Sequence, residues 1–231
     1  MAIVQGVGYD KPTYSHFENL YVWEYADPKR MQTDGWLGKL LGTQFDFQGH
    51  PLAGCALGEV STPAELRAAN ATVSVIQSVQ EYTVRGGTGY QATARALYRN
   101  TPGIYGALFD QMIVTEPSVK ICHVVISGFD THQAESTRQT ALLAEVDAAV
   151  SAFMQDITAH GQAYRVVLLT WSEFGRRINE NGSQGTDHGA AAPLFIVGTP
   201  VKGGLYGEQP SLTNTIDSGN LESDYPHYTS E

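Results

Sequence analysis

Two short segments carry side chains that together could bind a divalent cation. Asp130 and His132 lie two residues apart in Gly128-Phe129-Asp130-Thr131-His132, and Asp187 and His188 are adjacent in Gly185-Thr186-Asp187-His188-Gly189. Carboxylate oxygen with imidazole nitrogen is a donor mix suited to zinc, manganese or a related ion. On extended backbone, residues two apart point to the same side, so Asp130 and His132 can face one ion. Adjacent residues on a straight strand point apart, but the glycines framing Asp187-His188 permit a turn that brings both together. Between these segments, Ser172-Glu173-Phe174-Gly175-Arg176-Arg177 adds a carboxylate and two guanidinium groups. Glu173 can ligate a metal, orient a ligand, cap a helix start or bridge to Arg176. Arg176 and Arg177 either pair with surface carboxylates or fork onto the oxygens of a phosphate or sulfate group.

The surrounding pattern specifies what must position these groups. Val119–Ser127 is an apolar, β-branched run closed by Gly128, which predicts a strand. Leu142, Leu143, Val146, Ala149, Val150, Phe153, Met154 and Ile157 recur at helical spacing and predict an amphipathic helix ended by Gly161. Tyr164–Trp171 and Leu194–Val197 predict two further strands. Such apolar strands are covered on both faces, and a helix between the first two predicts a right-handed βαβ crossover in one parallel sheet. The Asp, His, Glu and Arg clusters then fall in loops at the carboxyl ends of strands, where open α/β sheets bind ligands.

Upstream, Ile3–Val7 predicts a short buried strand entering a loop at Gly8, and the residues around Trp36 predict a helical turn. Residues 42–60 are glycine-rich and predict a loop-rich connection. Thr62-Pro63-Ala64-Glu65 predicts a helix start with Thr62 as cap and Glu65 completing a capping box. Tyr90–Tyr98 and Tyr105–Val114 predict helices. The expected organisation is a single domain: an aromatic and loop-rich part over 1–60, a helical part over 61–115, a core βαβ part with the site motifs over 119–210, and a tail over 211–231.

The chain has 231 residues with 24 acidic and 14 basic side chains, a formal net charge of −10. That field opposes nucleic acid and anionic membrane surfaces, so an anionic substrate would need local cations, from arginine or bound metal. No apolar stretch reaches the roughly 18 residues of a membrane span. Residues 1–8 show neither a basic n-region nor a long apolar h-region, so they do not read as a signal peptide. Two cysteines make no disulfide framework, and Cys122 reads as a small buried hydrophobe. His123, inside a strand, reads as a satisfied core or sheet-face residue, and His50, His160 and His227 are assigned no chemistry. Nothing in the residue pattern sets an oligomeric state.

Gly128–His132, the run from Ser172 to Gly189, and Lys202-Gly203-Gly204-Leu205-Tyr206-Gly207 together resemble domain-of-unknown-function family 1501. This is a bacterial group of sulfatase-like proteins in the alkaline-phosphatase superfamily. Val4–Tyr9, Tyr14-Ser15-His16-Phe17 and Gly35–Gly38 extend the resemblance. It implies an α/β fold with a mostly parallel sheet sandwiched between helices. It also implies one or two divalent ions (zinc, manganese, magnesium or calcium), with Asp130 and His132 serving one position and Asp187 with His188 the other. Ser15 is then the best candidate nucleophile, and Thr131 a weaker one. The implied activity is hydrolysis of a small phosphate or sulfate ester; the alternative is a non-catalytic binding protein on the same scaffold. Relatives begin upstream with a strand and a Gly-Gly-x-Asp-like segment and run on past the tail, so the chain is expected to be a fragment or shortened relative, incomplete at the N-terminal strand. Relatives are usually exported.

Overall fold

The computed structural model describes residues 1–9, 11–29, 31–44, 53–71, 73–77 and 119–215. The helices expected over Tyr90–Tyr98 and Tyr105–Val114, together with His50 and His227, lie outside the described residues. The protein is mixed α/β, with three α-helices and three sheets among the described residues, one of them all-parallel. The chain divides into two compact units. The first draws on Met1–Leu20, Gly128–Val146 and Ala163–Glu231, the second on Tyr21–Ser127 and Asp147–Gln162.

In the first unit, β1 (Ala2–Val7) starts the chain, α1 (His16–Tyr25) begins and passes into the second unit, and the remaining strands come late. The second unit holds α2 (Trp36–Gln44), β2 (Gly54–Leu57), β3 (Val73–Ile76) and β4 (Ile121–Val124). The long helix α3 (Glu135–Ala159) carries the chain from the first unit to the second. It ends as the periodicity predicts, with Gly161 at φ +67°, a left-handed position suited to glycine. Returning to the first unit, the chain forms β5 (Leu168–Leu169), β6 (Gly175–Glu180), β7 (Thr186–Gly189), β8 (Ala192–Val197) and β9 (Gly204–Tyr206).

In the second unit, β2 is the central strand, with β3 and β4 parallel on either side. All four of its residues are buried, although residues 42–60 read as loop because Gly54-Cys55-Ala56-Leu57 is small and carries no alternation. A central parallel strand needs none, since both faces are covered. Cys55 and Leu57 enter one core cluster with Ile76 and Val119, while Ala56 enters another with Leu41, Ala53 and Leu66. Cys122 lies opposite Cys55 in register and packs against the first cluster. The hydrogen bond with Cys55 and burial push its thiol pKa up.

Two expectations are corrected here. The predicted βαβ unit does not form, because its two strands enter different sheets. β4 pairs in parallel with β2, whereas β5 pairs antiparallel with β8 in a sheet of order β5-β8-β1-β9. Both strands are shorter than predicted, and the run before β5 turns instead through a 3₁₀ segment, Ala163–Arg165. The helix predicted from Thr62 is also only a single 3₁₀ turn, Ala64–Leu66, with no side-chain cap. Glu65 is buried and faces His123 Nδ1, so its carboxylate ties this turn to β4 rather than completing a capping box. Replacing Thr62 with alanine is therefore expected to leave stability within about 0.5 kcal/mol. A lost cap would cost roughly 0.5–2 kcal/mol. A urea midpoint distinguishes the two.

In the first unit, β8 runs antiparallel to β1, pairing Ile3 with Phe195 and Val4 with Leu194, while β9 lies parallel on the other edge of β1. The segment from Ser172 to Gly189, read from sequence as loops, contains an antiparallel hairpin of β6 and β7. It pairs Gly175 with Gly189, Arg176 with His188 and Glu180 with Thr186.

Candidate metal centre

Three pieces of the first unit meet at this site: the start of α1, the segment before α3, and the β6–β7 hairpin. The loop after β1 is held by buried Asn19, whose Oδ1 accepts from the Tyr9 hydroxyl, from Thr13 N–H at 3.3 Å and from Thr13 Oγ1 at 3.2 Å. The Ser15 carbonyl accepts Asn19 N–H at 2.9 Å, opening α1 with His16 as its first residue. On the second piece, buried Thr131 separates Asp130 from His132, and its carbonyl accepts Thr186 N–H at 3.3 Å from β7.

Three imidazoles turn their Nε2 atoms toward Asp130. His188 Nε2 and His132 Nε2 each lie 2.9 Å from Asp130 Oδ1, and His16 Nε2 lies 3.4 Å from Oδ2. The two nitrogens of His132 and His188 are themselves 2.9 Å apart. Each ring's other nitrogen faces an oxygen: His16 Nδ1 is 2.6 Å from Glu173 Oε1, His188 Nδ1 is 2.8 Å from the Tyr14 carbonyl, and His132 Nδ1 is 3.4 Å from Asp187 Oδ1. A carbonyl can only accept, so His188 carries a proton on Nδ1. In the neutral ring its Nε2 is then a bare lone pair aimed at a carboxylate and a second imidazole. Such convergence is satisfied either by a second proton on the ring or by a cation among the donors. Outer oxygens on Nδ1 with Nε2 turned inward are the usual support of metal-bound histidine. The ligand atoms of His16, Asp130 and His188 all lie within 4.8 Å of one another. Buried Phe174 packs its ring 4.1 Å from that of His188 and 4.9 Å from that of His16, an apolar wall beside the donors.

The electrostatics keep Asp130 ionised. Partial burial opposes its charge, but hydrogen bonds with His188 and Arg176 and the neighbouring imidazoles outweigh this and hold its carboxyl well below the usual range. Asp187 is lowered as well, chiefly by a hydrogen bond from Asn181, then by His132 and the charge of Arg177.

Asp130, His132 and His188 thus stand in one cluster, while Asp187 and Glu173 stand behind His132 and His16. Glu173 also accepts from Ser172 Oγ at 3.0 Å. Arg176 is engaged through all three nitrogens: Nη1 with Asp130 Oδ1 at 2.8 Å, Nε with Thr186 Oγ1 at 3.1 Å, and Nη2 with the Thr186 carbonyl. Arg177 donates from Nε to the His188 carbonyl at 3.3 Å. Thr131 gives its hydroxyl to the Phe129 carbonyl at 3.3 Å, and Ser15 stands at the cap of α1. His16 is the residue that sequence reasoning passed over. The signal that marks it is its position: it follows the loop after β1, and loops at strand ends are where such sheets place ligands.

The site defines a mixed α/β protein with a candidate histidine–aspartate metal centre. The family model described as Protein of unknown function (DUF1501) matches residues 93–224, more than half of the chain, and the protein belongs to this family. No curated protein and no solved structure matches the chain.

Proposed function

We propose that the protein is a metal-dependent hydrolase of phosphate or sulfate esters, built as a single domain on an alkaline-phosphatase-like scaffold. The observation that carries this reading is the convergence of three Nε2 atoms on Asp130, each with its Nδ1 facing an outer oxygen. His16, Asp130, His132 and His188 would hold one divalent ion, with Asp187 available to a second or to His132. When bound, such an ion would polarise the ester oxygen and orient the substrate. Glu173 and the Tyr14 carbonyl fix the rings of His16 and His188 with Nε2 inward. Arg176, tied to Asp130 and Thr186, holds the carboxylate in place rather than reaching for substrate. Arg177, beside His188, is assigned to the anionic oxygens of the ester, where a guanidinium forks well. Ser15 remains the nucleophile candidate, next to His16 in the chain.

A non-catalytic, metal-dependent binding protein is the second reading, favoured by the state of Thr131, which is buried with its hydroxyl already donated. The purified protein and the His188→Ala variant should be compared for zinc and manganese content and for turnover of aryl phosphate and aryl sulfate. The hydrolase reading expects stoichiometric metal and turnover in the wild type and loss of both in the variant. Negligible metal in both proteins ends it. Metal without turnover by any divalent ion supports the binding protein instead.

A further inference from the structure

Asn181, Gly182 and Ser183 form an Asn-x-Ser triplet in the turn of the β6–β7 hairpin, a pattern that in exported proteins accepts glycan on the asparagine nitrogen. The structure gives that nitrogen other work. Asn181 Nδ2 donates to the His132 carbonyl at 3.0 Å and to Asp187 Oδ1 at 3.1 Å. Its Oδ1 accepts from Ser183 N–H at 2.9 Å and Gly185 N–H at 3.1 Å. The orientation of the amide is dictated by its partners. Two backbone N–H groups can only donate, and a carbonyl and a carboxylate can only accept. Both amide hydrogens are therefore committed.

The turn that Asn181 organises is also joined to the segment before α3. Ala134 N–H donates to the Ser183 carbonyl at 3.1 Å and Glu135 N–H to the Gln184 carbonyl at 2.8 Å, so the hairpin turn satisfies donors at the start of α3. Asn181 is thus a side chain through which the segment bearing His132 and the strand bearing Asp187 share one nitrogen. Asp187 Oδ1, the atom it holds, is the one that faces His132 Nδ1.

We propose that Asn181 is a positioning residue of the metal centre: it aims Asp187 at His132 and so sets the ring whose Nε2 joins the donors. This rests on the metal-centre reading above. Asn181→Asp is the discriminating variant, because it keeps the Oδ1 acceptor that shapes the turn but replaces the donor with an oxygen facing two oxygens. Ser183→Ala is the control. It destroys the triplet while leaving the Asn181 amide and the backbone of the turn.

Two measurements separate this inference from the metal-centre reading. By chelator competition with zinc, Asn181→Asp is expected to bind about 10–100-fold more weakly than wild type, the usual cost of losing a group behind a ligand, and Ser183→Ala to bind as wild type. In the metal-free protein, ring-nitrogen NMR shifts of His132 are expected to move in Asn181→Asp, while those of His16 stay. Unchanged His132 shifts overturn the positioning role even if the wild type binds no zinc. Equal zinc affinity of Asn181→Asp and wild type, or equal weakening by both variants, overturns it as well. Absence of zinc from the wild type with a shifted His132 leaves the positioning of His132 standing and removes only the metal.

Discussion

Asp130→Asn is expected to lose divalent-metal binding by more than the roughly 10–100-fold that follows loss of a group behind a ligand. Among the described residues, Asp130 is the one anion that meets all three Nε2 atoms and Arg176. An amide of the same shape keeps an acceptor for Arg176 but removes the charge that offsets a cation, and its NH₂ group can face imidazole lone pairs in the metal's place. Isothermal titration with zinc and manganese measures the loss; wild-type affinity in the variant would show that Asp130 is not a ligand. The same substitution should change the acid limb of stability in the metal-free protein. The Asp130 carboxyl is held below its ordinary value when folded, so its contribution is present above the unfolded value of about 3.9 and is lost as pH falls below that. The variant should therefore lose less stability than wild type between about pH 5 and pH 2. Some slope should remain, because Asp187 is shifted in the same direction. Asp130 is 47% exposed, so solvent screening keeps this pH effect small beside the effect on metal.

Gly185→Ala is expected to destabilise the protein by about 1–3 kcal/mol and to weaken metal binding together with it. A Cβ at Gly185 would fall onto the backbone carbonyl of His132 and within 2.5 Å of the Gln133 nitrogen. Backbone atoms cannot rotate aside as a side-chain tip can, so the turn must move away from the segment carrying Asp130 and His132. That movement would stretch the hydrogen bonds from Asn181 to His132 and from Thr186 to Thr131. Gly182, in the same turn, has nothing within 4 Å of an added Cβ. Gly182→Ala is accordingly expected to be near neutral. Guanidinium midpoints for the two variants test the steric argument, and equal midpoints would refute it.

The Asp130-x-His132 and Asp187-His188 pairs could be read from local spacing because neighbouring residues stay neighbours in any fold. The glycine frame around Asp187-His188 was read as a turn, yet Thr186–Gly189 is a strand paired to Gly175–Glu180. Its glycines serve close packing, as where Gly189 meets the Arg176 backbone. The amphipathic helix was legible for a different reason. Its period is a property of the helix itself, and Gly161 marks its end wherever the helix packs. The single-sheet βαβ unit was not legible, since an apolar run specifies a strand without naming its partner or how far it is covered. β4 and β5 each find a partner far from the other in sequence.

Residue types and short-range spacing thus determined by themselves the donor chemistry, the long helix and the presence of strands, because each depends on atoms only a few bonds or one helical turn apart. Only the tertiary structure brought His16 to Asp130 and placed Glu173 behind His16. It also bound Arg176 to Asp130 and directed the Asn181 nitrogen to both His132 and Asp187. Those contacts join residues remote in the chain, and no local preference encodes them. They arise when strand pairing and core burial bring the segments to one place.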